Sequence, residues 1–337
     1  MGESIYTSVD LLCWSTLKIK HVLSTNQFLD TQSLQDLFRL ASILEYKDKM
    51  NALAPSLQGK LLATVFYEPS TRTKFSFEAA MHKLGGNVLG TEHAGQFSSA
   101  IKGETLQDSI KIIGGYADVI VMRHFQEGSA KLAAEVSDVP IINAGDGIGE
   151  HPTQALLDIY TIYKEKGSLD NLRIAMIGDL LNGRTIHSLL NVLSLYKNTH
   201  LYLIAPKQLG LPEKYKKILK AKRVKFEEGT DFKPILSKID VLYVTRVQKE
   251  RFANQEEYEK LKHFYMVDKE VLKKMNPKAI IMHPLPRVGE ISTEVDQDPR
   301  AAYFRQAKNG LYIRMALLHM IFNGETNAPL FPFWNRV

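Results

Sequence analysis

Seven stretches of this sequence gather side chains that bind anions or polarise carbonyl groups. The first is Phe66-Tyr-Glu-Pro-Ser-Thr-Arg-Thr73, where Ser70, Thr71, Arg72 and Thr73 offer three hydroxyls and a guanidinium. They stand between an apolar run, Leu61–Tyr67, and a helical stripe of Phe77, Ala80, Met81 and Leu84. A helix N-terminus presents unpaired N–H groups and a partial positive charge, so it suits an anion. Hydroxyl donors with a forked guanidinium match a phosphate better than a lone carboxylate. The plainer alternative is an ordinary Ser/Thr helix cap with an exposed Arg. Arg123 closes the apolar run Val119–Met122. An Arg at the end of a buried strand is costly unless paired. It therefore sits in a structural salt bridge, or it bridges a phosphate and a neighbouring carbonyl.

The remaining stretches suit a carbonyl and an acceptor. His151-Pro-Thr-Gln154 opens a helix after a Gly-rich turn, with His151 and Gln154 three residues apart on one side. A partly exposed His at a helix start is the bland reading, and no second His or Cys stands at metal-ligand spacing. Gly178-Asp-Leu-Leu-Asn-Gly183-Arg184 has the wrong glycine spacing for a dinucleotide fingerprint, and a glycine turn that brings Arg184 to a cleft is simpler. In Thr245-Arg246-Val-Gln248, the alternation lets Arg246 and Gln248 clamp a carboxylate from an extended loop, unless the run is only a charged face. The prolines of His283-Pro-Leu-Pro-Arg287 hold the chain extended and leave carbonyl oxygens to accept from an NH₂ group, or they merely end a strand. Finally, Ser98 and Lys102 lie on a polar stretch before a helix, which reads as a solvated loop or as a mobile lid carrying positive charge.

These residues need elements to hold them. Ser33–Tyr46 has an amphipathic helical pattern, and residues 1–25 read as loose or peripheral. Two series then alternate strand and helix. The first has strands at 61–67, near Val88-Leu89, at 118–122 and at 139–143, and helices at 71–84, 104–116 and 129–136. After helix 151–166 the second has strands at 173–177, 201–205, 224–226, 241–245 and 279–282. Such alternation predicts two α/β domains built on parallel sheets. A last helix, opened by Asp298-Pro299, is free to return to the first domain. Parallel sheets carry ligands at the carboxyl ends of their strands, and the unusual polar residues fall there.

Composition narrows the partners. A chain of 337 residues exceeds one comfortable core. Its net charge of +6 is modest and scattered, which fits small anionic substrates and gives no nucleic-acid footprint. Cys13 is the only cysteine, so neither an internal disulfide nor a Cys-based zinc site is available, and a reduced, cytoplasmic setting is the simplest fit. No run approaches the ~20 apolar residues of a membrane span, and the N-terminal stretch lacks a long apolar core of the secretory kind.

Taken together, Phe66–Thr73, Lys102-Gly-Glu-Thr105, Met122-Arg-His124, His151–Gln154, Gly178-Asp, Gly183-Arg-Thr185, Thr245-Arg246 and His283–Arg287 resemble the aspartate carbamoyltransferase catalytic-chain family, in order and approximate spacing, from about residue 60 to about 320. The resemblance implies an α/β fold of two doubly wound parallel-sheet domains, with the C-terminal helix packing back on the first. Residues 1–150, with the helix at about 300–337, would bind carbamoyl phosphate, and 151–299 would bind aspartate. The implied reaction carbamoylates L-aspartate from carbamoyl phosphate, the committed step of pyrimidine synthesis, with no cofactor and no metal.

Residue by residue, the resemblance implies that Ser70, Thr71, Arg72, Thr73 and Arg123 hold the phosphate. Thr73, Arg123 and His151 would polarise the carbamoyl oxygen. Gln154 and the carbonyls of Pro284 and Leu285 would hold its NH₂. Arg184 would take the α-carboxylate of aspartate, and Arg246 and Gln248 its β-carboxylate. Ser98 and Lys102 would reach into a neighbour's site, making the active unit at least a homotrimer, with room for a regulatory subunit or larger assembly. The runner-up is a carbamoyltransferase of the same fold with another acceptor, such as ornithine. Ornithine enzymes typically carry a Cys in the late motif, whereas here that motif is His283-Pro-Leu-Pro.

Overall fold

The computed structural model describes residues 19–92, 94, 103–246 and 265–323. Among these, residues 19–23, 30–144 and 311–323 form one compact unit, and 24–29 and 145–310 form another. In the first unit the strands are β1 (Leu61–Phe66), β2 (Asn87–Glu92), β3 (Val119–His124) and β4 (Ile141–Asp146), in the order β2-β1-β3-β4. β1 pairs in parallel with both β2 and β3. Helices α1 (Thr31–Lys49), α2 (Thr71–Lys83), α3 (Leu106–Gly114) and α4 (Ser129–Val136) accompany the sheet. Its core joins Val65, Ile120, Met122 and Ile141 to Ile110 and Ala133 of the helices. Asp30 starts α1 by accepting the Ser33 N–H at 2.7 Å, and Thr105 starts α3 by accepting that of Asp108.

The second unit holds α5 (Pro152–Lys166), β5 (Arg173–Ile177), α6 (Arg184–Leu193), β6 (His200–Ile204), α7 (Glu213–Ala221), β7 (Lys225–Gly229), β8 (Val241–Val244), α8 (Lys269–Lys274) and β9 (Ile280–Met282). Its sheet runs β7-β6-β5-β8-β9, all parallel. Apart from the edge strand β7, which is polar and largely exposed, the strands are short and nearly continuously apolar, as strands covered on both faces must be. Ile177, Val244 and Ile281 meet Phe232, Leu236 and Val271 in one core. Both units thus have the α/β parallel-sheet architecture that the sequence predicts.

The last helix, α9 (Tyr303–Asn323), begins in the second unit and ends in the first. Its early residues bond within the second unit, Arg305 to Glu165 and Asn309 to Thr161. Its later residues bond within the first: Tyr312 hydroxyl donates to Asp48, and Arg314 lies over the Phe77 ring at 5.0 Å. The C-terminal helix therefore packs back as expected.

Several expectations need correction. Asp298-Pro299 does not open the last helix. The Asp298 carboxylate instead folds back on Arg300, accepting from its backbone N–H at 2.9 Å and its guanidinium at 2.8 Å, and helical structure resumes only at Tyr303. The strand expected at 118–122 continues to His124, which places Arg123 inside it. The strand expected to stop at Asn143 continues to Asp146. Residues 19–23 are anchored rather than loose, since Val22 bridges in parallel to Ile142 with hydrogen bonds of 2.8 and 2.7 Å.

Candidate active site

Each sheet changes winding direction once. In β2-β1-β3-β4 the change falls between β1 and β3, and in β7-β6-β5-β8-β9 between β5 and β8. The crevice beyond such a switch point is where ligands bind in this architecture. The cations singled out from the sequence stand there: Arg72 and Arg123 after β1 and at the end of β3, Arg184 and Arg246 after β5 and β8.

In the first unit, Phe66 pairs with Arg123 in register, so the β1 exit and the Arg side chain start side by side. Ser70 stands at the N-cap position of α2, yet its side chain makes no capping bond. The ordinary-cap reading thus fails, and the first-turn N–H groups keep the character of an anion site. Thr71 and Arg72 are exposed there, while Thr73 is buried. Arg123 is not a bare cation. Its Nη1 donates to the Ala144 carbonyl at 3.2 Å, and its Nε lies 3.4 Å from Glu68 Oε2. The salt-bridge reading of Arg123 is correct as far as it goes. Because Glu68 lies two residues before Ser70, the bridge also ties the guanidinium to the β1 exit that leads into α2.

In the second unit, Pro152 occupies the first turn of α5 and His151 precedes it, buried, with its N–H 3.3 Å from Ser188 Oγ. Glu150 pins the preceding loop: it accepts from the Ser24 hydroxyl at 2.6 Å and from the Thr25 N–H and hydroxyl at 2.8 Å each. Arg184, the first residue of α6, donates from Nη1 to the Gly147 carbonyl at 2.5 Å, tying it to the loop that carries His151. Gly178 explains how the two exits approach. Its φ is +113°, and a Cβ there would lie 2.2 Å from the Thr245 carbonyl oxygen. Only glycine lets the β5 exit that leads to Arg184 touch the β8 exit that leads to Arg246.

The late motif is organised by its histidine. His283 Nδ1 accepts the Leu285 N–H at 2.8 Å, so its proton is on Nε2, which meets Glu290 Oε1 at 2.8 Å. Glu290 is buried, which alone would raise its pKa. The hydrogen bond from His283, with the Val288 and Glu290 N–H groups, outweighs burial and holds the carboxyl below its ordinary range. Leu285 has a φ of +54°, and among the described residues no donor reaches the Pro284 or Leu285 carbonyl. Arg287, the last residue of the motif, is committed to Asp296 in a forked pair and contributes no free charge to a ligand.

Gln154 is half-buried, with its NH₂ donating to Asp158 at 2.8 Å. Ser98, Lys102 and Gln248 lie outside the described residues. Sequence reasoning missed Glu68, Glu150, Asp158 and Glu290. Each is an acidic residue within four positions of a residue that was found, and that proximity is the only signal the sequence carries.

Residues 20–164 match the family model described as aspartate/ornithine carbamoyltransferase, carbamoyl-P binding domain, and residues 170–321 match its Asp/Orn binding domain. The chain is 54% identical over 305 residues to the aspartate carbamoyltransferase catalytic subunit of Leptospira biflexa, covering 89% of this chain and 95% of that one. It is 51% identical over 308 residues to the chloroplastic aspartate carbamoyltransferase of Arabidopsis thaliana, covering 91% and 79%. The crystal structure of aspartate transcarbamoylase from Trypanosoma cruzi in complex with carbamoyl aspartate and phosphate superimposes with a TM-score of 0.84, at 41% identity, over 93% of this chain and 99% of that one.

Proposed function

The chain belongs to the aspartate/ornithine carbamoyltransferase family, and from that premise we propose its reaction. It transfers the carbamoyl group of carbamoyl phosphate to the amine of L-aspartate, giving N-carbamoyl-L-aspartate and phosphate in de novo pyrimidine synthesis. The observation that carries the choice of acceptor is the Gly178–Thr245 contact, which brings together the strand exits bearing Arg184 and Arg246. Two guanidiniums suit a dicarboxylate and disfavour the cationic tail of ornithine.

In this reading, residues 1–150 with the helix at about 300–337 take carbamoyl phosphate, and 151–299 take aspartate. Ser70, Thr71, Arg72, Thr73 and Arg123 hold the phosphate. The amine attacks the carbamoyl carbon while Thr73, Arg123 and His151 donate to the oxygen on which negative charge develops. Each such donor is worth roughly 10²–10³ in rate. Gln154 and the Pro284 and Leu285 carbonyls accept from the NH₂ group. Arg184 takes the α-carboxylate, and Arg246 and Gln248 the β-carboxylate. The C–O bond to phosphate then breaks, and the departing phosphate accepts the amine proton, so no side-chain nucleophile or separate base is required.

The assembly is at least a homotrimer in which Ser98 and Lys102 complete a neighbour's site, and the lone cysteine suits a cytoplasmic location. Among the described residues no helix is long and apolar enough to cross a membrane. Parallel assays of phosphate release with aspartate and with ornithine test the reaction: release with aspartate alone supports it, and release with ornithine overturns it. Mixing inactive Lys102→Ala and Arg72→Ala chains tests the shared site. Restored activity supports it, and dead mixtures with proven subunit exchange sink it.

A further inference from the structure

Asp158 is fully buried on α5, one turn after Gln154, and the reaction just described makes no use of it. Both its oxygens are occupied. Oδ1 accepts from Gln154 Nε2 at 2.8 Å and from Gln306 Nε2 at 2.6 Å, and Oδ2 accepts from the Tyr243 hydroxyl at 2.6 Å. Burial, then the charge of Asp158, pushes Tyr243 well above the ordinary phenol range, so it remains a donor.

A carboxylate offers only acceptors, so it dictates which way each neighbouring amide is turned. The NH₂ of both glutamines must face Asp158, and both carbonyl oxygens must face away. For Gln306 that oxygen accepts the His283 N–H at 2.9 Å. For Gln154 it leaves Oε1 with no donor among the described residues, although the residue is half-buried. One carboxylate thus holds Gln154 directly and, through Gln306, the backbone at His283, immediately before the open carbonyls of Pro284 and Leu285.

We propose that Asp158 is a positioning residue that makes the carbamoyl-nitrogen site acceptor-only, by turning the Gln154 oxygen outward and fixing the His283–Leu285 backbone through Gln306. The inference rests on the function proposed above. Its consequence is selectivity for an NH₂ group over a methyl or an oxyanion of the same size. A site built to hydrogen-bond an N–H discriminates strongly against an analogue that lacks it.

The test compares carbamoyl phosphate with acetyl phosphate, which carries a methyl in place of the NH₂, by Kd and KM on the full chain. Asp158→Leu removes the shared acceptor that turns both amides. It is expected to cut the preference for carbamoyl phosphate by about tenfold or more while inorganic phosphate binds as before. Tyr243→Phe leaves both glutamines on Asp158 and is expected to keep the preference. An unchanged preference in folded Asp158→Leu overturns the proposal, and so does an equal loss of phosphate affinity. Should Asp158→Leu not fold, Gln306→Met, which removes the link from Asp158 to the His283 N–H and leaves Gln154 on Asp158, carries the test. A severalfold drop in preference supports the proposal and an unchanged preference overturns it. Failure of the wild type to carbamoylate aspartate would instead remove the functional reading itself.

Discussion

Glu68 and Arg123 face each other at the mouth of adjacent parallel strands, 3.4 Å apart from Oε2 to Nε. On the proposed function, a carboxylate in that place competes with an incoming phosphate for the same guanidinium. Glu68→Gln keeps the shape and removes the competing charge. Inorganic phosphate is expected to bind about two- to fivefold tighter at low salt, with the gain fading as salt screens it. Calorimetric titration at two ionic strengths checks this, and weaker binding in the variant would contradict it.

Arg72 lies exposed on the first turn of α2, away from the core. Arg72→Ala should therefore lower kcat/KM by about 10²–10³ while the melting temperature moves by no more than about 2 °C. Steady-state kinetics and a thermal melt on the same preparation decide it. Near-normal turnover would remove Arg72 from the site.

Gly178→Ala would set a methyl 2.2 Å from the Thr245 carbonyl, at a φ of +113° that disfavours any side chain. The exits carrying Arg184 and Arg246 must then separate. The KM for aspartate is expected to rise by about tenfold or more, with phosphate affinity unchanged and stability reduced by about 1–3 kcal/mol. A variant with normal KM for aspartate would show that the contact does not set the acceptor clamp.

His319, on the part of α9 that lies in the first unit, is held neutral: burial, with the charge of Lys47, pulls its pKa down to about 4. Above pH 6.5 neither folded nor unfolded chain protonates this group. As the pH falls from 6.5 to about 4 the unfolded chain gains the proton and the folded chain resists it, so stability drops by up to about 3 kcal/mol. Below that the dependence on this group is flat. His319→Gln should lower the urea midpoint less steeply than wild type does over this window. Parallel slopes in the two proteins would refute the assignment.

Much of this was legible in the sequence because parallel strands announce themselves. The runs Leu61–Phe66, Val119–Met122 and Val241–Val244 are almost wholly apolar, and the polar residues that follow them fall at strand exits by construction. Arg72, Arg184 and Arg246 could be found that way. The carboxylates that pair with the polar side chains of these regions could not. Pairing of Glu68 with Arg123 depends on strand register, and the bonds from Asp158 span 85 residues to Tyr243 and 148 to Gln306. Local periodicity carries no information about such distant partners. The start of α9 was misplaced because Asp298 and Pro299 satisfy a capping pattern locally, while Arg300 claims the carboxylate in the fold.

The helix α9 also bears on how the polypeptide is made. Tyr312, Ile313, Leu317 and Leu318, all buried, belong to the first unit but are synthesised after the whole of the second. A ribosome that has delivered residues 30–144 has not yet delivered the segment that completes their packing. The unit that begins first therefore finishes last, and a nascent chain halted before α9 presents an unfinished apolar surface to cellular chaperones and proteases.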